Sequence, residues 1–234
     1  MQIKQLRESL RSIADPAIAA NSQRFFKTGK GEYGEGDRFL GIRVPILRQH
    51  ARTYRNIPIK QLLQLLRSDY HEERLCALLI MVLKYHQGGN DEKETVFQRY
   101  LSNTRHINNW DLVDSSAYHI VGQHLEDRDR GILYRLARSE SLWERRIAII
   151  ATLHFIKKQE YVDTLKISLE LLDDSHDLIH KAVGWMLREV GNRDFSVEQV
   201  FLDEHYRRMP RTMLRYAIEK FPNKQRKAYL NGQV

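Results

Sequence analysis

A chain of 234 residues, 42% hydrophobic and 29% charged, holds enough apolar material for one extended domain or two small ones. A mean hydropathy of −0.56 and the lack of a long apolar run argue against a membrane span, and the charged start MQIKQLRESLRSIAD lacks the apolar core of a signal peptide. The formal charge of +8 is uneven: residues 1–60 carry +7 and residues 201–234 carry +5, leaving −4 between them. Two basic ends around a less basic centre suit a polyanion such as duplex DNA, although ordinary solvated surface accounts for the same excess. A cytoplasmic, nucleoid-associated protein is the expectation.

In chain order, ADPAIAANSQRFF and VPILRQHARTY each open on a proline suited to a helix start. Between them KTGKGEYGEGDRFLG (27–41) carries five glycines. The glycine-rich part, 29–36, has no Gly-Lys-Ser/Thr ending and no strand before it, so a flexible surface connection is expected in place of a nucleotide cradle. Apolar residues then recur at helical spacing in QLLQLL (61–66), ERLCALLIMVLKY (73–85), GILYRLARS (131–139), WERRIAIIATLHFIKK (143–158) and HKAVGWMLREV (180–190). Pro58 and Pro210 stand at further helix starts, and Pro222 is read as closing a helix at 211–221. No stretch alternates with period two, so no strand is expected. Cys76, the only cysteine, lies inside RLCALLIMVL and is read as a buried, inert core thiol.

A repeat is visible. SDYHEERLCA (68–77) aligns without gaps on SESLWERRIA (139–148), 71 residues later. DSHDLIHKAVGWML (174–187) follows about 35 residues on, and MPRTMLRYAIEK follows after a similar interval. A polar turn leading into an apolar helix at this period predicts an all-α fold, a superhelical solenoid of HEAT-like helical pairs, here taken as one domain over 1–234.

The candidate chemistry centres on INNWDLVDSSAYHIVG (107–122). On a helix, Trp110 and Asp114 are i and i+4 and share a face, whereas Asp111 turns elsewhere and suits the N-terminal turn. A carboxylate beside a large aromatic needs a partner if that face is core. The plainer account is an amphipathic helix with Trp110 at the core edge and Asp114 paired to an arginine. Arg145 and Arg146 adjoin an apolar run, and Arg188 lies at i+3 from Trp185, which follows Gly184. Tryptophans and arginines recurring on inner helices suit an aromatic or anionic ligand. HDLIH (176–180) has i, i+4 histidines but no third metal ligand in view, and no cofactor is inferred.

FLGIRVPILR, NWDLVD, WERRIAI and KAVGWMLRE, in this order along the chain, resemble the AlkD-type family of DNA alkylation repair glycosylases over about residues 20 to 220. The resemblance implies a superhelix of HEAT-like repeats that excises cationic N3- and N7-alkylated purines from duplex DNA without flipping the base into a pocket. It places the catalytic aspartate at Asp114, the cleft tryptophans at Trp110 and Trp185, and the cleft arginine at Arg146. Arg188 joins Arg146 as a DNA-binding candidate, and a lysine of some members falls near His154 here. The partner expected is double-stranded DNA containing alkylated purines, bound by a monomer without cofactor, metal or membrane. Two other readings stand beside it: a non-catalytic solenoid that binds branched, bulged or damaged DNA by shape, and a protein-binding scaffold.

Overall fold

The computed structural model describes residues 2–234, which are helical apart from turns and one isolated bridge between Arg38 and Tyr70. No helix among them is long and apolar enough to cross a membrane. The chain forms two compact units, Met1–Ser116 and Ala117–Val234.

The first unit contains α1 (Gln2–Ser12), α2 (Pro16–Phe25), α3 (Val44–Thr53), α4 (Ile59–Leu66), α5 (His71–Gln87), α6 (Asn90–Leu101) and α7 (Trp110–Asp114). Its axis is α5, against which α3, α4, α6 and α7 pack. Cys76, Leu78, Ile80 and Met81 on α5 are fully buried. Burial, helped by the charge of Glu73, pushes the Cys76 thiol up to about 12, so it stays protonated.

Where α5 begins, four consecutive charged residues, His71, Glu72, Glu73 and Arg74, are all buried. Each has a counterpart from elsewhere in the unit. Glu72 accepts the backbone N–H groups of Leu40 (2.8 Å), Gly41 (2.7 Å) and Ile42 (3.2 Å). Glu73 pairs with Arg7 (3.1 Å) and Arg11 (3.2 Å) of α1. Gly41 has φ +81°, and a Cβ there would lie 2.1 Å from the Asp15 carbonyl oxygen, so glycine is required in FLGIRV on both counts. Asp15 itself caps α2 by accepting from Ala17 and Ile18 N–H.

The second unit contains a π-helical turn (Tyr118–Gly122), then α8 (Gly131–Ala137), α9 (Leu142–Ala151), α10 (Leu153–Ile156), α11 (Val162–Glu170), α12 (Asp177–Gly191), α13 (Phe195–His205), α14 (Arg211–Ala217) and α15 (Asn223–Asn231). Here α12 is central and packs on α9, α11, α13 and α14. It approaches α14 tightly at Gly184, where a Cβ would stand 2.4 Å from the Met213 carbonyl oxygen.

The sequence repeat has a physical counterpart. Ser68 Oγ accepts from Tyr70 N–H (3.1 Å), and the Ser68 carbonyl accepts from Arg74 Nη1 (2.9 Å). Ser139 does the same with Ser141 N–H (3.1 Å) and Arg145 Nη1 (2.9 Å). Asp174 follows with His176 N–H (2.8 Å) and His180 Nε2 (2.5 Å). One hydrogen-bonded entry turn thus leads into α5, α9 and α12, each time tied down by a side chain six residues on.

Two details differ from the sequence reading, at 143–158 and at Pro222. The periodic run at 143–158 is divided between α9 and α10, with Thr152 between them bonding the Ile149 carbonyl (2.7 Å). Pro222 does not close a long helix: the preceding helix ends at Ala217, a 3₁₀ turn (Ile218–Lys220) follows, and Pro222 is the N-cap of α15. The glycine-rich 29–36 segment is a series of turns, with Gly29 and Gly31 N–H each bonded at 2.8 Å to the carboxylates of Glu32 and Glu35.

Glu198, in the first turn of α13, is only 2% exposed. Its Oε1 has no hydrogen-bond partner among the described residues, and its carboxyl occupies the space a side chain on Gly191 would need. Burial, opposed by the charge of Arg188, pushes it up to about 8. The folded state therefore binds a proton that the unfolded state releases near pH 4.5, and Glu198 costs stability as pH rises from there to about 8. Glu198→Gln is expected to unfold at higher urea than the wild type at pH 8, by about 1–3 kcal/mol, with the advantage vanishing at pH 4. Gly184→Ala is expected to destabilise by about 2 kcal/mol, read from the urea midpoint, because the clash with backbone exceeds the gain in helix propensity of about 1 kcal/mol.

Candidate functional site

Helix α7 is little more than one turn, too short to hold its shape unaided. Asn109 caps it, accepting from Trp110 N–H (2.8 Å), and Leu112 and Val113 bury its inner side completely. Trp110 and Asp114, at its two ends, are both half-buried. The Asp114 charge reaches the wholly buried Tyr100 and, second to burial, helps hold that phenol protonated. Tyr100 and Ser116 share a hydrogen bond of 3.0 Å behind the helix.

Beneath α7 lies a buried ion cluster. Asp37 receives Arg74 Nη2 (2.6 Å) on one oxygen, and Asn109 Nδ2 (3.1 Å) and His71 Nδ1 (3.3 Å) on the other. The other ring nitrogen of His71 meets Asp111 Oδ2 at 2.8 Å. Burial alone would lower the His71 pKa. The charge of Asp111 and hydrogen bonds to Asp111 and Asp37 outweigh burial and the nearby Arg74, and raise it to about 9. At neutral pH His71 is an imidazolium donating from both nitrogens. Burial pulls the Asp37 carboxyl upward, but the His71 bond, the Arg74 charge and the Asn109 bond leave it below its ordinary value.

An aromatic stack covers the cluster. The Phe39 ring lies on His71 (4.7 Å between centroids), Phe26 lies on Phe39 (5.1 Å), and Trp110 lies on Phe26 (5.3 Å). Phe25 meets Trp110 edge-on at 5.9 Å and is 66% exposed. Stacking of this kind adds about 0.5–1.5 kcal/mol per pair beyond burial. The patch would let a flat or cationic group lie against Trp110 and Phe25, with the Asp114 carboxylate on the same short helix.

In the second unit, Arg146 of α9 is 4% exposed, and its Nη1 donates to the Leu178 carbonyl of α12 at 2.5 Å. Trp185 and Arg188 are half-buried on α12. The Trp185 indole N–H bonds Glu189 at 3.2 Å, and Arg188 pairs with Glu219. Arg145 is held by Asp174 at 2.6 Å. His154 bonds Glu126 at 3.0 Å, and burial with the charge of Lys157 lowers its pKa. The HDLIH histidines serve the start of α12: His176 Nδ1 accepts from Leu178 N–H (3.1 Å), and His180 completes the Asp174 turn.

The structure thus brings Trp110 and Asp114 together on α7, and Arg146, Trp185 and Arg188 onto α9 and α12. Sequence reasoning placed Asp111 correctly in the N-terminal turn of α7 but missed its partner His71, and it missed Phe25, Phe26, Phe39 and Asp37. The one available signal was HEER itself, four charges directly before a wholly apolar helical run.

The pKa of His71 is raised on folding, so its charge stabilises the protein fully below its ordinary value of 6.5, and that stability is lost as pH rises through about 9. Urea unfolding between pH 6 and 10 is expected to show a decline on the order of 2–3 kcal/mol from this residue, flattened in His71→Gln.

The family of DNA alkylation repair enzymes matches residues 6–221 of the chain. No curated protein matches it significantly. A solved structure described as a predicted DNA alkylation repair enzyme from Enterococcus faecalis is similar with a TM-score of 0.70 and 18% identity, over 90% of this chain and 97% of that one. At that identity the likeness speaks for the fold. The match over residues 6–221 decides the family: the chain belongs to the DNA alkylation repair enzymes.

Proposed function

We propose that this protein is a DNA glycosylase that hydrolyses the N-glycosidic bond of cationic N3- and N7-alkylated purines in duplex DNA, without base flipping, in base excision repair. The observation that carries this reading is the pairing on α7 of a half-buried carboxylate, Asp114, with a half-buried indole, Trp110, in a member of this family. HEAT-like pairing of helices is part of the reading, supported by the entry turn that recurs at Ser68, Ser139 and Asp174.

The chemistry suits these residue types. An alkylated purine is already positively charged and leaves without protonation. The C1′–N bond breaks, its electron pair returns to the purine, and positive charge develops on the sugar. Water adds at C1′ and its surplus proton leaves to solvent. Asp114 opposes the developing charge and orients the water. The face of Trp110 attracts the cationic base or sugar, and the indole of Trp185 is suited to the same kind of contact. A neutral purine is a poor leaving group, so selectivity for cationic lesions comes from the substrate's own charge.

Arg146 and Arg188 are the DNA-binding arginines of this proposal, on different terms. Arg188 meets a phosphate by exchanging it for Glu219. Arg146 is buried, and a phosphate would have to draw it from the Leu178 carbonyl. The alternative is that Arg146 braces α12 and so supports Trp185. The exposed Arg43, Arg48, Arg52, Arg207, Arg211 and Arg215 supply the sequence-independent attraction to the duplex. In this reading the protein acts as a monomer in the cytoplasm, at the nucleoid, without a cofactor.

The test is release of free methylpurines from methylated duplex DNA under single-turnover conditions. Asp114→Asn, with the fold intact by circular dichroism, is expected to lose about 100-fold or more of the rate while duplex affinity changes little. An Asp114→Asn protein as fast as the wild type would overturn the assignment. Tight, salt-sensitive binding by the wild type with no release would favour non-catalytic recognition of DNA shape.

A further inference from the structure

We propose that His71 is a positioning residue for this site, a buried cation that fixes the place of α7 and with it Trp110 and Asp114; the inference rests on the glycosylase reading. His71 is 2% exposed and cannot touch a substrate. It acts along two routes that both end on α7.

The first route is polar. Asp111 adjoins Trp110 and lies one helical turn before Asp114. Its Oδ2 is bonded to His71, while its Oδ1 is buried without a hydrogen-bond partner among the described residues. The imidazolium is therefore the hydrogen-bonding counter-charge of that carboxylate. Removing it leaves a largely buried charge uncompensated, which is strongly destabilising, against a helix with no cooperativity of its own. Asp37 closes the loop, because the oxygen that receives His71 also receives Asn109, the cap of α7. One histidine thus reaches the helix through its cap and its first turn.

The second route is apolar. The His71 ring lies 4.7 Å from Phe39 and 4.9 Å from Phe26, and Phe26 carries Trp110. Tilting the imidazole shifts the base of the stack on which the indole rests.

The other charged groups around His71 are occupied. Arg74 bonds Asp37 and the Ser68 carbonyl. Glu72 holds the Leu40–Ile42 amides, and Glu73 holds Arg7 and Arg11. The Asp114 charge acts on Tyr100. None of these replaces His71 at Asp111 without abandoning another bond.

The experiment combines kinetics with a direct view of Trp110. His71→Gln keeps an amide donor but loses the charge. It is expected to lower single-turnover release of N7-methylguanine at pH 7 about tenfold or more, with duplex Kd changed less than threefold. In the wild type, release corrected for spontaneous loss should fall with a midpoint near pH 9, and this limb should be missing in His71→Gln. Asp111→Asn should lower the rate similarly and serves as the second variant if His71→Gln does not fold. In a Trp143→Phe/Trp185→Phe background, Trp110 is the one indole left, and its emission and acrylamide quenching should titrate near pH 9 only while His71 is present. A folded His71→Gln protein releasing base at the wild-type rate, or Trp110 emission that ignores His71, would overturn the proposal. Wild-type protein that releases no base would sink the glycosylase reading, while the Trp110 titration would still decide whether His71 positions α7.

Discussion

Four adjacent charges buried at the start of α5 are the constraint on which the first unit depends. Burying His71, Glu72, Glu73 and Arg74 without partners would cost several kcal/mol each, more than a domain's net stability. Each partner comes from a different segment: Glu73 recruits α1, Glu72 the backbone at 40–42, Arg74 and His71 the Asp37 loop, and His71 also α7. The unit cannot be assembled with one of these segments displaced, because displacement strands a charge. Hydrophobic burial along α5 makes the unit compact, while the charges select one arrangement of the segments packed on it.

The same logic runs through the repeat with different side chains. Arg74, Arg145 and His180 each reach back six residues to a carbonyl in their own entry turn. Arg145 also reaches Asp174, the turn residue of the next repeat, at 2.6 Å. A donor that satisfies its own turn and then the next one couples neighbouring helices. The histidine at the third position shows that the geometry tolerates substitution as long as a donor reaches the carbonyl.

Much of the all-α fold was legible because helical periodicity and helix-initial prolines are local signals, and they located α4, α5, α8, α9 and α12. The division at Thr152 was not legible, since the apolar pattern runs through it. Neither was α15, whose composition is polar and whose start at Pro222 reads equally as an end. The site was half legible. Trp110 and Asp114 share a helix, so their spacing exposes them. Phe26 lies 84 positions from Trp110 and Asp37 lies 72 from Asn109, and no local pattern reports contacts of that reach. The doublet Arg145–Arg146 was ambiguous for a related reason: both sit in one run, and only packing decides that Arg146 goes under the Leu178 carbonyl while Arg145 takes the turn.

On the proposed glycosylase reading, a short α7 suits what its residues are asked to do. A carboxylate that opposes charge on a sugar must sit within a fraction of an ångström of its working position. A long helix would take its position from its own packing along many turns. One of five residues takes it from whatever holds its ends, here Asn109 on Asp37 and Asp111 on His71. Those contacts are charge-assisted hydrogen bonds and are buried, so they are stiff and directional where apolar packing alone would allow sliding. The aromatic stack then transmits the same reference point to the indole. On that proposal, Trp110 and Asp114 are both positioned from one buried histidine.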